Sequence, residues 1–220
     1  MQAILYVVFF LSGASGLVYE VIWVRLTGLV FGNTSLAIST VLGAFMAGLA
    51  LGSWKLGRTA DRSRNPLRIY GLLEIGIGVS AALVPVAFRG LDSIYWAVAP
   101  SLSSTPGATG LVRFVTSFIV LLAPTFFMGG TLPVLSRFFT RNVSEVGRKV
   151  ATLYALNTFG AAAGTLAAAL VLIPGIGNTR TTLLIASLNL GIGFFAIWLS
   201  GRAKPAEAEG EETGDKKPEE

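Results

Sequence analysis

Apolar residues in this chain come in long uninterrupted runs, not in the i, i+3, i+4 stripe of a helix half-exposed to water or the alternation of a half-buried strand. Six runs are free or nearly free of charge: Ala3 to Trp23 and beyond, Thr34 to Trp54, Ile69 to Phe88, Phe114 to Leu135, Ala151 to Leu172 and Thr181 to Ser200. Each has about the 20 residues that carry an α-helix across the hydrocarbon of a bilayer. They are rich in Gly, Ala and Leu and lack the alternating polar positions of a barrel strand. The pattern predicts an all-α integral membrane protein with six transmembrane helices over residues 1–200. The stretch 201–220 is acidic and has no large apolar residue to bury, so it is expected to be a disordered cytoplasmic tail.

The first run precedes the small residues SGASG, as a signal peptide would, but it has no basic n-region and stays apolar past Leu17. It therefore reads as a span. Orientation follows from Lys and Arg, which stay on the cytoplasmic side of short loops. Lys55, Arg58, Arg62, Arg64 and Arg68 separate the second and third runs, Arg137, Arg141, Arg148 and Lys149 the fourth and fifth, and Arg202 and Lys204 follow the sixth. Only Arg25, Arg89, Arg113 and Arg180 fall on the other side, so both termini are expected in the cytoplasm. Trp23 and Trp96 would then mark the outer interface, and Trp54, Tyr70 and Trp198 the inner one.

Composition agrees with the pattern, since 53% of residues are hydrophobic and only 13% charged. The chain has no Cys and no His, which removes thiolate and imidazole catalysis and the usual zinc ligands. No metal and no cofactor is expected. The bases sit in short loops between apolar runs, which topology explains, so the basic charge predicts a lipid bilayer as partner and no nucleic acid.

Two small-xxx-small pairs, Gly48/Gly52 and Gly160/Gly164, are each followed by a related segment, LLEIGIG around Gly76 and SLNLGIG around Gly191. Three helices per unit would make this a 3+3 inverted repeat, resembling half of a major facilitator transporter. Pro133 and Pro174 are expected to kink or close the fourth and fifth helices. Polar groups within spans are the candidate site residues, because an ionised group there is costly unless paired or hydrated. They are Glu20 in the first run, Glu74 in the third, and Asn157 and Asn189 in the fifth and sixth. Arg25 and Arg113 are the candidate ion-pair partners, with Arg113 the better placed for Glu20. Glu20 and Glu74 could bind a cationic amine or carry protons; the structural alternative pairs Glu20 with Arg25 or Arg113, holds Glu74 near the cytoplasmic bases, and has the two Asn residues bond between helices.

The stretches SGASGLVYEVIWVRL and PTFFMGGTLPVLSRF, with AFMAGLALGSWKLGRTADR between them, resemble the membrane domain of bacterial spermidine synthase-like proteins. The likeness covers roughly residues 8 to 200 and places the chain in the bacterial inner membrane. In that family the helices accompany a cytoplasmic aminopropyltransferase domain with a Gly-rich loop and an acidic catalytic residue, which this sequence does not show. The resemblance therefore implies a non-catalytic module that anchors or serves a polyamine-related enzyme, and it transfers no catalytic residue.

A second resemblance lies in Gly57, Asp61, Arg62 and Arg64, within GRTADRSR, which looks like the cytoplasmic gate loop of major facilitator transporters. There Gly57 would allow a tight turn, Asp61 would cap or bridge a helix, and the Arg residues would hold the gate. It implies a half-unit transporter of a polyamine or other cation, working as a homodimer. A truncated aminopropyltransferase is the third alternative.

Overall fold

The computed structural model describes residues 2–32, 34–102, 107–140, 144 and 146–202, with residues 34, 92 and 94–102 described in backbone only. The expected tail beyond 202, with Lys204, lies outside the described residues, as do Arg141 and the side chain of Trp96. All membrane-length elements are helical: α1 (Gln2–Phe31), α2 (Thr34–Asp61), α3 (Pro66–Leu102), α4 (Ala108–Phe139) and a fifth unit from Val146 to Arg202. These helices outrun the apolar runs that predict them, because the backbone stays helical where polar residues leave the hydrocarbon.

Among the described residues, the helices long and apolar enough to cross a membrane number five, not six, and the 3+3 division falls with that count. The fifth and sixth runs belong to one unit of 57 residues, made of α5 (Val146–Ala167), a π-helical segment (Ala168–Leu172) and α6 (Ile173–Arg202). The loop expected around IPGIGNTR is absent. Only Gly177 leaves helical dihedrals there, with φ 78° and ψ 169°, a region open to glycine and closed to most other residues.

Pro174 does not close the helix, because the backbone has already widened before it. The Ile173 N–H donates to the Ala168 carbonyl five residues back, and the π segment absorbs the bond that proline cannot make. Pro124 and Pro133 likewise lie inside a continuous α4. The fifth unit doubles back on itself. Gly160 and Asn189 both lie against α1 between Phe10 and Tyr19, whereas a straight helix would part them by about 43 Å.

Packing is closest where glycine lets backbones meet. On α2, Gly48 faces Thr125 and Gly52 faces the Phe126 carbonyl of α4, while Gly129 faces the Leu49 backbone in return. On α5, Gly160 and Gly164 face the backbone of Phe10 and Ala14 in α1. The two small-xxx-small pairs thus seat α2 on α4 and α5 on α1. The matching LLEIGIG and SLNLGIG segments pack against each other, Gly78 beside Ala186 and Gly193 beside Gly71, so α3 and α6 run antiparallel.

Two apolar clusters fill the bundle. One joins Leu5, Phe9, Leu67, Tyr70, Leu135, Phe139, Leu153 and Ala196. The other joins Tyr19, Trp23, Phe45, Val84, Phe88, Leu121 and Ile173 at the opposite end. The first cluster gathers the start of α1, α3 and α5 with the end of α2, α4 and α6, so Lys55, Arg58, Arg62, Arg64, Arg68, Arg137, Arg148, Lys149 and Arg202 share one end of the bundle. Arg25, Arg89, Arg113 and Arg180 lie towards the other. Trp54 and Trp198 are exposed at the basic end, as expected, but Trp23 and Tyr70 are fully buried. Trp23 instead stacks on Tyr19, with ring centroids 5.6 Å apart.

Candidate functional site

Glu74 is the most demanding residue in the bundle, a carboxylate with no exposed surface about two turns into α3. Three helices converge on it. From α1, the Ser12 hydroxyl donates to Oε1 at 2.5 Å. From α6, the Asn189 amide donates to Oε2 at 2.7 Å. The same amide nitrogen lies 3.0 Å from the Ser15 hydroxyl oxygen, and Asn189 Oδ1 accepts from the Tyr19 hydroxyl at 3.0 Å. Ser15 closes the group by donating to the Ser12 carbonyl at 2.7 Å. Tyr70, one turn before Glu74, brings its hydroxyl beside the carboxylate and Ser12. That hydroxyl is buried without a well-aligned hydrogen bond.

The helical repeat explains this convergence. Ser12, Ser15 and Tyr19 stand at i, i+3 and i+7, which is one face of α1, and Tyr70 and Glu74 at i and i+4 share a face of α3. Glu74 and Asn189 occupy the same place in LLEIGIG and SLNLGIG, so the antiparallel packing of those segments brings them together. Every described hydrogen-bond partner of Glu74 is neutral. A hydroxyl and an amide can hold a carboxyl oxygen each, tie three helices in one place, and specify their register.

The structure thus joins Glu74 to Asn189 and leaves the other candidates apart. Glu20 is half-buried on α1 next to Tyr19, and no hydrogen bond or ion pair reaches it among the described residues, from Arg113, Arg25 or elsewhere. Arg25 is exposed and Arg113 half-buried. Asn157 lies on α5 against Gly13, where an added Cβ would stand 2.7 Å from its Oδ1. Gly57 sits within α2 and packs on Pro133 of α4, not in a tight turn. Asp61, Arg62 and Arg64 are exposed where α2 ends, and Asp61 makes no described bond. Ser12, Ser15, Tyr19 and Tyr70 were missed as site residues, although the i, i+3, i+7 spacing of hydroxyls in an otherwise apolar helix is a readable signal.

Among the described residues, no group of three His, Cys, Asp or Glu could hold a metal ion. No family model and no solved structure matches the chain. Curated relatives do. It is 28% identical over 199 residues to polyamine aminopropyltransferase 2 of Ralstonia nicotianae, covering 90% of this chain and 36% of that protein. It is 22% identical over 203 residues to the polyamine aminopropyltransferase of Leptospira interrogans, again covering 90% and 36%. To polyamine aminopropyltransferase 2 of Streptomyces coelicolor it is 29% identical over 191 residues, covering 84% and 32%. The chain is thus a distant, partial relative of bacterial polyamine aminopropyltransferases, and it spans about a third of their length. Nothing in these comparisons supports the likeness to major facilitator transporters.

Proposed function

We propose that this chain is a non-catalytic membrane module that anchors or serves a cytoplasmic polyamine-related enzyme in the bacterial inner membrane. The observation that carries the reading is the shape of the similarity. Nearly all of this chain aligns with polyamine aminopropyltransferases, yet the alignment takes up only about a third of each of them. The aligned region is the bundle of apolar, membrane-length helices. The basic end supports a cytoplasmic face there, since Lys and Arg are the residues held back from translocation. Within the module, the Ser12, Glu74 and Asn189 contact is an interhelical tie: Glu74 is wholly enclosed, and each of its oxygens accepts a hydrogen bond from a neighbouring helix.

Recruitment tests the reading. The aminopropyltransferase encoded in the same genome is produced with and without this chain, and its distribution between membrane pellet and soluble fraction is measured. The enzyme is expected to move mostly to the pellet when the chain is present. An unchanged distribution would remove the anchoring role.

A further inference from the structure

The corner where α2 meets α3 holds an open groove of about 500 Å3 lined by Lys55, Arg58, Thr59, Arg62, Ser63 and Ile69. Lys55, Arg58, Thr59 and Arg62 stand at i, i+3, i+4 and i+7, so one face of the last turns of α2 aims three cations at the same space. Asp61 lies about 110° around the helix from the middle of that face and does not neutralise it. The side chains of Lys55 and Arg62 make no described hydrogen bond or ion pair within the protein. Arg58 is braced, with its guanidinium carbon 4.5 Å from the centre of the Trp54 ring.

The hydroxyls differ in what they offer. Thr59 directs its hydroxyl to the Lys55 carbonyl. Ser63 accepts from the Asn65 N–H, so its own proton stays available to donate. Ile69 supplies an apolar wall from α3, and the Trp54 indole is exposed beside the groove at the basic end of an apolar bundle.

We propose that this groove binds the phosphate of an anionic lipid headgroup. Three converging cations and a free hydroxyl donor match the oxygens of a phosphodiester. The apolar wall and the indole match the start of an acyl chain, which a free phosphate lacks. The same chemistry would hold inorganic phosphate, so the two sources are compared directly. The site is independent of enzyme recruitment, and either proposal can fail alone.

The purified full chain is titrated in mild detergent with short-chain phosphatidylglycerol, short-chain phosphatidylcholine and inorganic phosphate as separate probes. Binding is read by native mass spectrometry and folding by thermal melting. Phosphatidylglycerol is expected to bind in preference to phosphatidylcholine, and K55Q/R62Q to weaken it on the order of ten-fold. R137Q/R148Q removes two exposed bases from the same end outside the groove, and should change binding by no more than about two-fold. K55Q alone, at an exposed position, should weaken binding about three-fold and serves if the double variant melts early. Equal losses in the two double variants would overturn the site in favour of diffuse attraction. Displacement of the lipid by inorganic phosphate at comparable concentration would overturn the lipid assignment.

Discussion

Gly52→Ala is expected to cost about 3 kcal/mol of stability, although it adds a single methyl group. At Gly52 the helices α2 and α4 touch backbone to backbone. An added Cβ would fall inside contact distance of the Phe126 carbonyl and 3.2 Å from Gly129 Cα. No side-chain rotation relieves that overlap, so the helices must part and lose packing along their shared length. Gly191→Ala is the matched control, because a Cβ there meets nothing within 4 Å. It should leave stability unchanged or raise it, since alanine restricts the unfolded chain. Thermal melting in detergent compares the two, and a Gly52→Ala protein that melts with the wild type would refute the close approach.

Glu74→Ala is the second large effect, expected at about 3 kcal/mol. The substitution takes the acceptors away from Ser12 Oγ and Asn189 Nδ2 and opens a void between α1, α3 and α6. Interhelical hydrogen bonds in membranes are individually weak, about 0.6 kcal/mol on average, so most of the cost is the void and the unpaired buried groups. Glu74→Gln keeps the volume, and its amide can accept from Asn189 while pairing with Ser12, so it should cost about 1 kcal/mol or less. The Glu74→Ala and Asn189→Ala losses should be non-additive, because both break one bond. Additive losses in a double-mutant cycle would show that the two residues do not act together.

Much of this bundle is legible in the apolar runs, because lipid imposes helices on any span that must satisfy its own backbone. The small-xxx-small pairs at Gly48/Gly52 and Gly160/Gly164 mark real contacts, but the sequence does not say which helix each one meets. The number of helices was misread at IPGIGNTR, where Pro and Gly signal a break. The π segment at Ala168–Leu172 accommodates Pro174, and one glycine turns the chain without a loop. Trp23 and Tyr70 were misplaced for a related reason: hydropathy ranks depth along a helix but not the direction a residue faces around it.

The candidate site was half legible. Glu74 and Asn189 stand out as polar residues in apolar helices, but that they meet each other is seen only in the packed bundle. The hydroxyls that complete the group are legible only through the i, i+3, i+7 spacing of Ser12, Ser15 and Tyr19, because a single Ser or Tyr is tolerated anywhere in a membrane helix. Glu20 stands out equally, yet no hydrogen bond or ion pair reaches it among the described residues; a charge in a span shows its cost without showing how it is met.

The bundle is expected to cross the membrane with its basic end in the cytoplasm, and single thiols test that directly. The chain has no Cys, so each introduced thiol reports alone. Ser93→Cys lies at the end of Arg89, and Ser144→Cys lies between α4 and α5 at the basic end; both positions are exposed. A membrane-impermeant maleimide should label Ser93→Cys in intact spheroplasts and Ser144→Cys only after lysis. Labelling of Ser144→Cys in intact spheroplasts would place the basic end outside the cytoplasm and contradict this orientation.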